Sequence, residues 1–112
     1  MRWEGFIKMK KIECYLREEA IEGLLEALTK TGVNGVTVCP VLGFGRQRGK
    51  GGHLIPKMKV EILALEAELE DVLRTVTKLT RRGEYGDGKI AITDLVDAIR
   101  IRTGETGVKA LL

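Results

Sequence analysis

Between residues 10 and 94 the apolar period switches from two to about 3.6 and back, and then does so a second time. Residues 10–16 alternate, with Ile12, Cys14 and Leu16 on one face and Lys11, Glu13 and Tyr15 on the other, the mark of a half-buried strand. Residues 18–30 place Ile21, Leu24, Leu25 and Leu28 at helical spacing, with acids early, Lys30 late and Gly32 as a stop. Residues 35–41 form a second strand rich in valine and threonine. Pro40 cannot donate to a ladder, which puts that end at a sheet edge or a bulge. Residues 57–63 alternate again, Met58, Val60 and Ile62 facing inward. Residues 66–82 carry the stripe Leu69, Val72, Leu73, Val76 and Leu79 of a second helix that Gly83 should end. Residues 89–94 are the fourth strand. Residues 95–101 read as a short helical turn or a strand returning across the sheet.

Strand, helix, strand, strand, helix, strand predicts an α+β, ferredoxin-like βαββαβ fold, its antiparallel sheet carrying both helices on one face. Val36, Val38, Val41 and Leu63 cannot all point at two helices, so the other face needs a cover, which oligomerisation would supply. A chain of 112 residues allows one domain. Within it, residues 1–9 form an N-terminal arm, 43–56 a loop and 103–112 a C-terminal loop and tail.

The net charge of +3 is too small for a general polyanion binder, but the charge is unevenly spread. From Gly43 to Lys59 stand Arg46, Arg48, Lys50, Lys57 and Lys59 with no acid, whereas Glu66, Glu68, Glu70 and Asp71 stand together without a cation. Local basic charge fits a discrete anionic ligand better than a nucleic-acid track. Cys14 and Cys39 fit small hydrophobes in a reducing cytoplasm, and no apolar run is long enough to span a membrane. The chain has no serine, which removes serine nucleophiles; His53 is a lone loop histidine, and Asp87 and Asp94 have no recognisable partner acid or base.

Three clusters carry chemistry. Gly43-Phe44-Gly45-Arg46-Gln47-Arg48-Gly49 lies between strands, matching neither the Walker loop nor the dinucleotide fingerprint. It is either an anion-binding loop or a solvated hairpin. Gly86-Asp87-Gly88-Lys89 opens a strand and can offer backbone N–H groups and an ammonium to phosphate, or be a plain turn. Arg100 and Arg102, two apart on an expected strand, would project from one face, either as forks for phosphate or as surface charge. If the clusters met, Arg46, Lys89, Arg100 and Arg102 would suit a polyphosphate.

These motifs, with Pro56-Lys57-Met58-Lys59-Val60-Glu61 and Arg100-Ile101-Arg102-Thr103-Gly104-Glu105, resemble the PII nitrogen-regulatory signal-transduction family over residues 10–105. The resemblance implies a cytoplasmic homotrimer holding ATP or ADP in clefts between subunits and acting on a target protein. It implies that Gly86, Asp87, Gly88, Lys89, Arg100 and Arg102 hold phosphates. Thr37 and the backbone of Gly43, Phe44 and Gly45 would lie near adenine, and Arg46 near the outer phosphates. Gln47 would coordinate Mg²⁺ and 2-oxoglutarate. Lys57 would pair with a 2-oxoglutarate carboxylate, beside the loop backbone at Arg48 and Gly49.

The chain departs from the family pattern in three ways. Only nine residues, 48–56, separate Gln47 from Lys57, so the T-loop is shortened. The loop tyrosine some relatives have modified is missing. Arg17-Glu18 stands where lysine-proline is usual. Three alternatives stay open: a sensor of another small anion, a single-stranded nucleic-acid module of the same topology, and a slow ATPase or small-acid phosphatase. The nucleic-acid module would stack bases on strand aromatics, of which the third strand has none. A fast enzyme would need a general base.

Overall fold

The structure is a computed structural model that describes residues 8–45 and 50–112. Strand β1 (Met9–Leu16) leads through a 3-10 turn (Glu18–Ala20) into helix α1 (Ile21–Leu28), which a second such turn (Thr29–Thr31) extends. Strands β2 (Val36–Gly43) and β3 (Ile55–Leu65) follow, then α2 (Leu69–Thr80) and β4 (Lys89–Asp94). The expected helix over 18–30 is therefore a short α-helix between two tighter turns. Gly32 closes it at φ 92°, in the left-handed region that glycine takes most readily.

The four strands lie in the order β2-β3-β1-β4, every neighbour antiparallel. This is the predicted ferredoxin-like α+β arrangement. β2 is an edge strand, which accounts for Pro40 within it. Ile12, Cys14 and Leu16 of β1 and Val60, Ile62 and Ala64 of β3 are buried against Leu24 and Leu28 of α1 and Val72 and Val76 of α2. The core holds no polar residue among the described ones. Burial in that apolar layer pushes the Cys14 thiol up to about 11, so it remains a neutral thiol.

Val36 and Val38 pack against the core, while the register places Thr37, Cys39 and Val41 opposite Glu61, Lys59 and Lys57. The open sheet face is thus largely charged. Lys11 and Lys59 each approach both Glu13 and Glu61, at 3.4–3.8 Å, and the Tyr15 hydroxyl donates to Glu13 at 2.7 Å. That hydroxyl, ahead of the lysines, lowers the pKa of Glu13.

Two expectations need correction. α2 ends at Thr80 rather than running to Arg82, because Arg81 is already extended at ψ 123°. Gly83, at φ 77°, belongs to the following loop instead of ending the helix. Over residues 95–101 the chain forms neither a helical turn nor a sheet strand. Ile99 makes only an isolated bridge to Thr106, and residues 107–111 wind into a 3-10 turn (Gly107–Leu111). Val96, Ile99 and Ile101 are exposed there, Ile101 at 97%. An apolar run without a sheet neighbour can be surface in a single chain, however strand-like its composition.

Candidate functional site

The 84–89 loop is shaped from within. The Asp87 carboxylate accepts backbone N–H bonds from Arg82 and Gly83 at 2.7 Å each and from Glu84 at 3.2 Å, all at Oδ2. Its Oδ1 accepts from Arg17 Nη1 at 2.6 Å. The Arg82 amide, then Arg17, hold the carboxylate far below the usual range. Asp87, grouped with the phosphate ligands by resemblance, thus spends both oxygens inside the protein.

Gly86 and Gly88 flank it at φ 96° and 110°. A Cβ on Gly88 would stand 2.1 Å from the Tyr15 carbonyl oxygen, so the loop runs directly against β1. Lys89 then pairs with Tyr15 as β4 begins. It is exposed, and no acid bonds to it among the described residues.

The lowered pKa of Asp87 predicts an acid-stability signature. Its contribution is complete above the unfolded aspartate pKa of about 3.9 and is lost as pH falls through the lower native value. The stability gap between wild type and Asp87→Asn should therefore be widest near neutrality and narrow progressively below about pH 4. Denaturant unfolding across pH checks this, and a constant gap would contradict it.

Against this loop stand Val41, Leu42, Gly43, Phe44 and Gly45 at the end of β2, Tyr15 of β1 and Lys57 of β3. Together with Glu84, Tyr85, Gly86, Gly88 and Lys89 they line a cavity of about 520 Å³. Its lining combines three aromatic residues with two glycine-rich segments and two lysines. That mixture can take a planar apolar group and an anion side by side.

Thr37, Arg100 and Arg102 lie elsewhere. They line a second cavity, of about 580 Å³, with Asn34, Gly35, Glu61 and the 110–112 segment. Thr37 and Gly43 are both on β2, but six residues of strand separate them by about 20 Å. Thr37 is therefore not beside Gly43, Phe44 and Gly45 within one chain, and Arg100 and Arg102 line a different cavity from Lys89. The strand expected at Arg100 and Arg102 is absent: the N–H groups of Thr103 and Gly104 donate to the Arg100 carbonyl at 3.3 and 2.7 Å, closing a turn. The two arginines share a cavity, but not by strand alternation.

Arg100 is engaged already. Its Nη1 bonds to Glu105 Oε1 at 2.5 Å, and its Nη2 donates to the carbonyls of Ala110, at 3.4 Å, and Leu112. Arg102 has no ion-pair partner among the described residues. Arg46, Gln47, Arg48 and Gly49 lie outside the described residues. Sequence reasoning missed Arg17, noted only as a departure from a usual dipeptide. What marks it is its contact with residues some 70 positions away.

The two cavities, glycine loop and topology can be set beside known proteins. The family described as nitrogen regulatory protein P-II matches residues 9–105. The chain belongs to the P-II family. Among curated relatives, the nitrogen regulatory protein P-II of Rhizobium meliloti is 38% identical over 92% of this chain and all of its own length. The nitrogen regulatory protein P-II 1 of Methanothermobacter thermautotrophicus is 38% identical over 92% of this chain and 97% of its own. Among solved structures, the GlnK–ATP complex of B. subtilis superposes with a TM-score of 0.83 at 34% identity, covering 93% of this chain and 96% of that one. Arabidopsis thaliana PII bound to citrate superposes at 0.81 with 41% identity, covering 92% of each chain. Among the described residues no helix is long and apolar enough to cross a membrane.

Proposed function

We propose that this P-II family member is a signalling regulator that binds ATP and ADP in clefts between the subunits of a homotrimer. The observation that carries the reading is that Arg100 and Arg102 line one cavity of the chain while Lys57 and Lys89 line another. A neighbouring copy would bring the Thr37, Arg100 and Arg102 half against the Gly43–Gly45 and Gly86–Lys89 half. The ATP complex of the similar B. subtilis protein supports the ligand class. The exposed apolar residues Val96, Ile99 and Ile101 support burial against other copies.

In this reading the aromatic wall of Tyr15, Phe44 and Tyr85 receives the base, and the glycine loop and Lys89 receive phosphates. Mg²⁺ would be held by phosphate oxygens and Gln47. The described residues include no cluster of three or more acids, histidines or cysteines able to bind it alone. A small dicarboxylate, 2-oxoglutarate, would pair with Lys57 beside Gln47, Arg48 and Gly49. The citrate complex of the similar Arabidopsis protein supports an organic polyacid as a ligand class. The shortened T-loop would present the bound state to a target protein over a smaller surface than a long loop offers. The acid lining the cavity, Glu84, lies 3.5 Å from Arg17, and the reading is of a regulator rather than a fast ATPase.

Calorimetric titration with ATP, ADP, and MgATP with and without 2-oxoglutarate tests this. Saturable binding of both nucleotides, with 2-oxoglutarate binding only in the presence of MgATP, is the expected result. No heat at millimolar nucleotide would refute the reading.

A further inference from the structure

We infer that Arg17 is a positioning residue: acting through Asp87, it gives the 84–89 loop its phosphate-receiving shape without touching the ligand. This rests on the nucleotide reading above. Arg17 follows β1 directly, in extended conformation, with its side chain only 13% exposed. Its guanidinium forks. Nη1 donates to Asp87 Oδ1 at 2.6 Å, and Nη2 donates to the Tyr85 carbonyl at 2.9 Å and lies 3.5 Å from a Glu84 carboxylate oxygen.

Asp87 passes this anchoring on to the backbone of Arg82, Gly83 and Glu84. One ion pair therefore ties the end of β1 to the segment leaving α2 and to the loop entering β4. The loop needs such a tie. Gly83, Gly86 and Gly88 all stand at positive φ, and glycine-rich backbone loses the most entropy on ordering. A loop ordered before ligand arrives spares that cost on binding.

Arg17 stands apart from the cavity proposed to receive phosphate. The hollow it lines, of about 290 Å³, is shared with Glu18, Glu19 and Lys57. Arg17 is not among the residues lining the cavity of Lys89. A planar fork can reach Asp87 and the Tyr85 carbonyl together, which a lysine ammonium on a single stem cannot match in geometry.

The test uses the full chain with Arg17→Met, Arg17→Lys, Asp87→Asn and the Arg17→Met/Asp87→Asn double variant. Amide hydrogen exchange in ligand-free protein reads the loop, and calorimetry reads ATP and adenosine. Arg17→Met should speed exchange at Arg82, Gly83 and Glu84 while leaving the Ile12 and Val60 amides protected. It should weaken ATP about tenfold and adenosine little. Arg17→Lys should recover part of the loss, and the double variant should bind ATP no more weakly than Asp87→Asn. Unchanged loop exchange in Arg17→Met would overturn the inference. So would a full additional loss in the double variant, which would make Arg17 a direct ligand. If wild type binds no ATP, the nucleotide reading fails, and the exchange data alone still decide whether Arg17 orders the loop.

Discussion

Gly88→Ala is expected to destabilise the protein by about 3 kcal/mol or more. Two independent penalties fall on one residue. Its φ of 110° is a conformation L side chains rarely adopt, and its Cβ would lie 2.1 Å from the Tyr15 carbonyl oxygen. That oxygen is backbone of β1, which pairs with β3 on one side and β4 on the other. It cannot yield as a side-chain tip would, so the loop must lift away and open the start of the β1–β4 ladder at Tyr15 and Lys89. Gly83 separates the two penalties. It too has positive φ, 77°, but nothing within 4 Å of its would-be Cβ. Gly83→Ala should cost only the conformational part, about 1–2 kcal/mol. Denaturant unfolding of both variants at matched protein concentration gives the comparison, and equal losses would mean that the close approach to Tyr15 has no energetic weight.

Lys89→Ala should weaken ATP binding by about 10- to 100-fold, the range for losing one charge-assisted hydrogen bond to phosphate. Its fold stability should move by no more than about 0.5 kcal/mol, because the side chain is exposed and bonds to no acid among the described residues. Adenosine, which lacks phosphates, should bind both proteins alike. That split separates a ligand-binding lysine from a structural one. Arg100 makes the instructive contrast, since its guanidinium already holds Glu105 and two carbonyls. Its removal should cost stability as well as affinity. Calorimetry paired with unfolding of Lys89→Ala checks the first claim, and a parallel loss of adenosine and ATP binding would reject it.

The elements of the fold were legible because their periods were clean. The alternation at Ile12, Cys14 and Leu16 gave the inner face of β1, and all three are buried. Val72 and Val76 from the α2 stripe are buried as well, although Leu79, read as part of that stripe, is 44% exposed near the end of the helix. Past Asp94 the pattern misled. Leu95, Val96, Ile99 and Ile101 are apolar without a period, and composition alone cannot tell a sheet strand from a surface waiting for a partner. The glycine loop and its lysine were visible as a motif. The inward role of Asp87 was not, because a carboxylate beside two glycines reads equally as ligand or as loop support until its bonding partners are known.

Local chemistry determined, from the sequence alone, the order of strands and helices, the inner face of the central strands and the residue types available for an anion. Each depends on neighbours within a turn or two of chain, which is the distance over which periodicity and turn preference act. Tertiary structure decided the rest. It set Arg17 against Asp87 and Gly88 against Tyr15, and it placed Thr37 with Arg100 and Arg102 at one end of β2 with Gly43 at the other. Those relations follow from the register of β4 on β1 and of β2 on β3, and register is set by packing of the whole sheet against its helices rather than by any one segment.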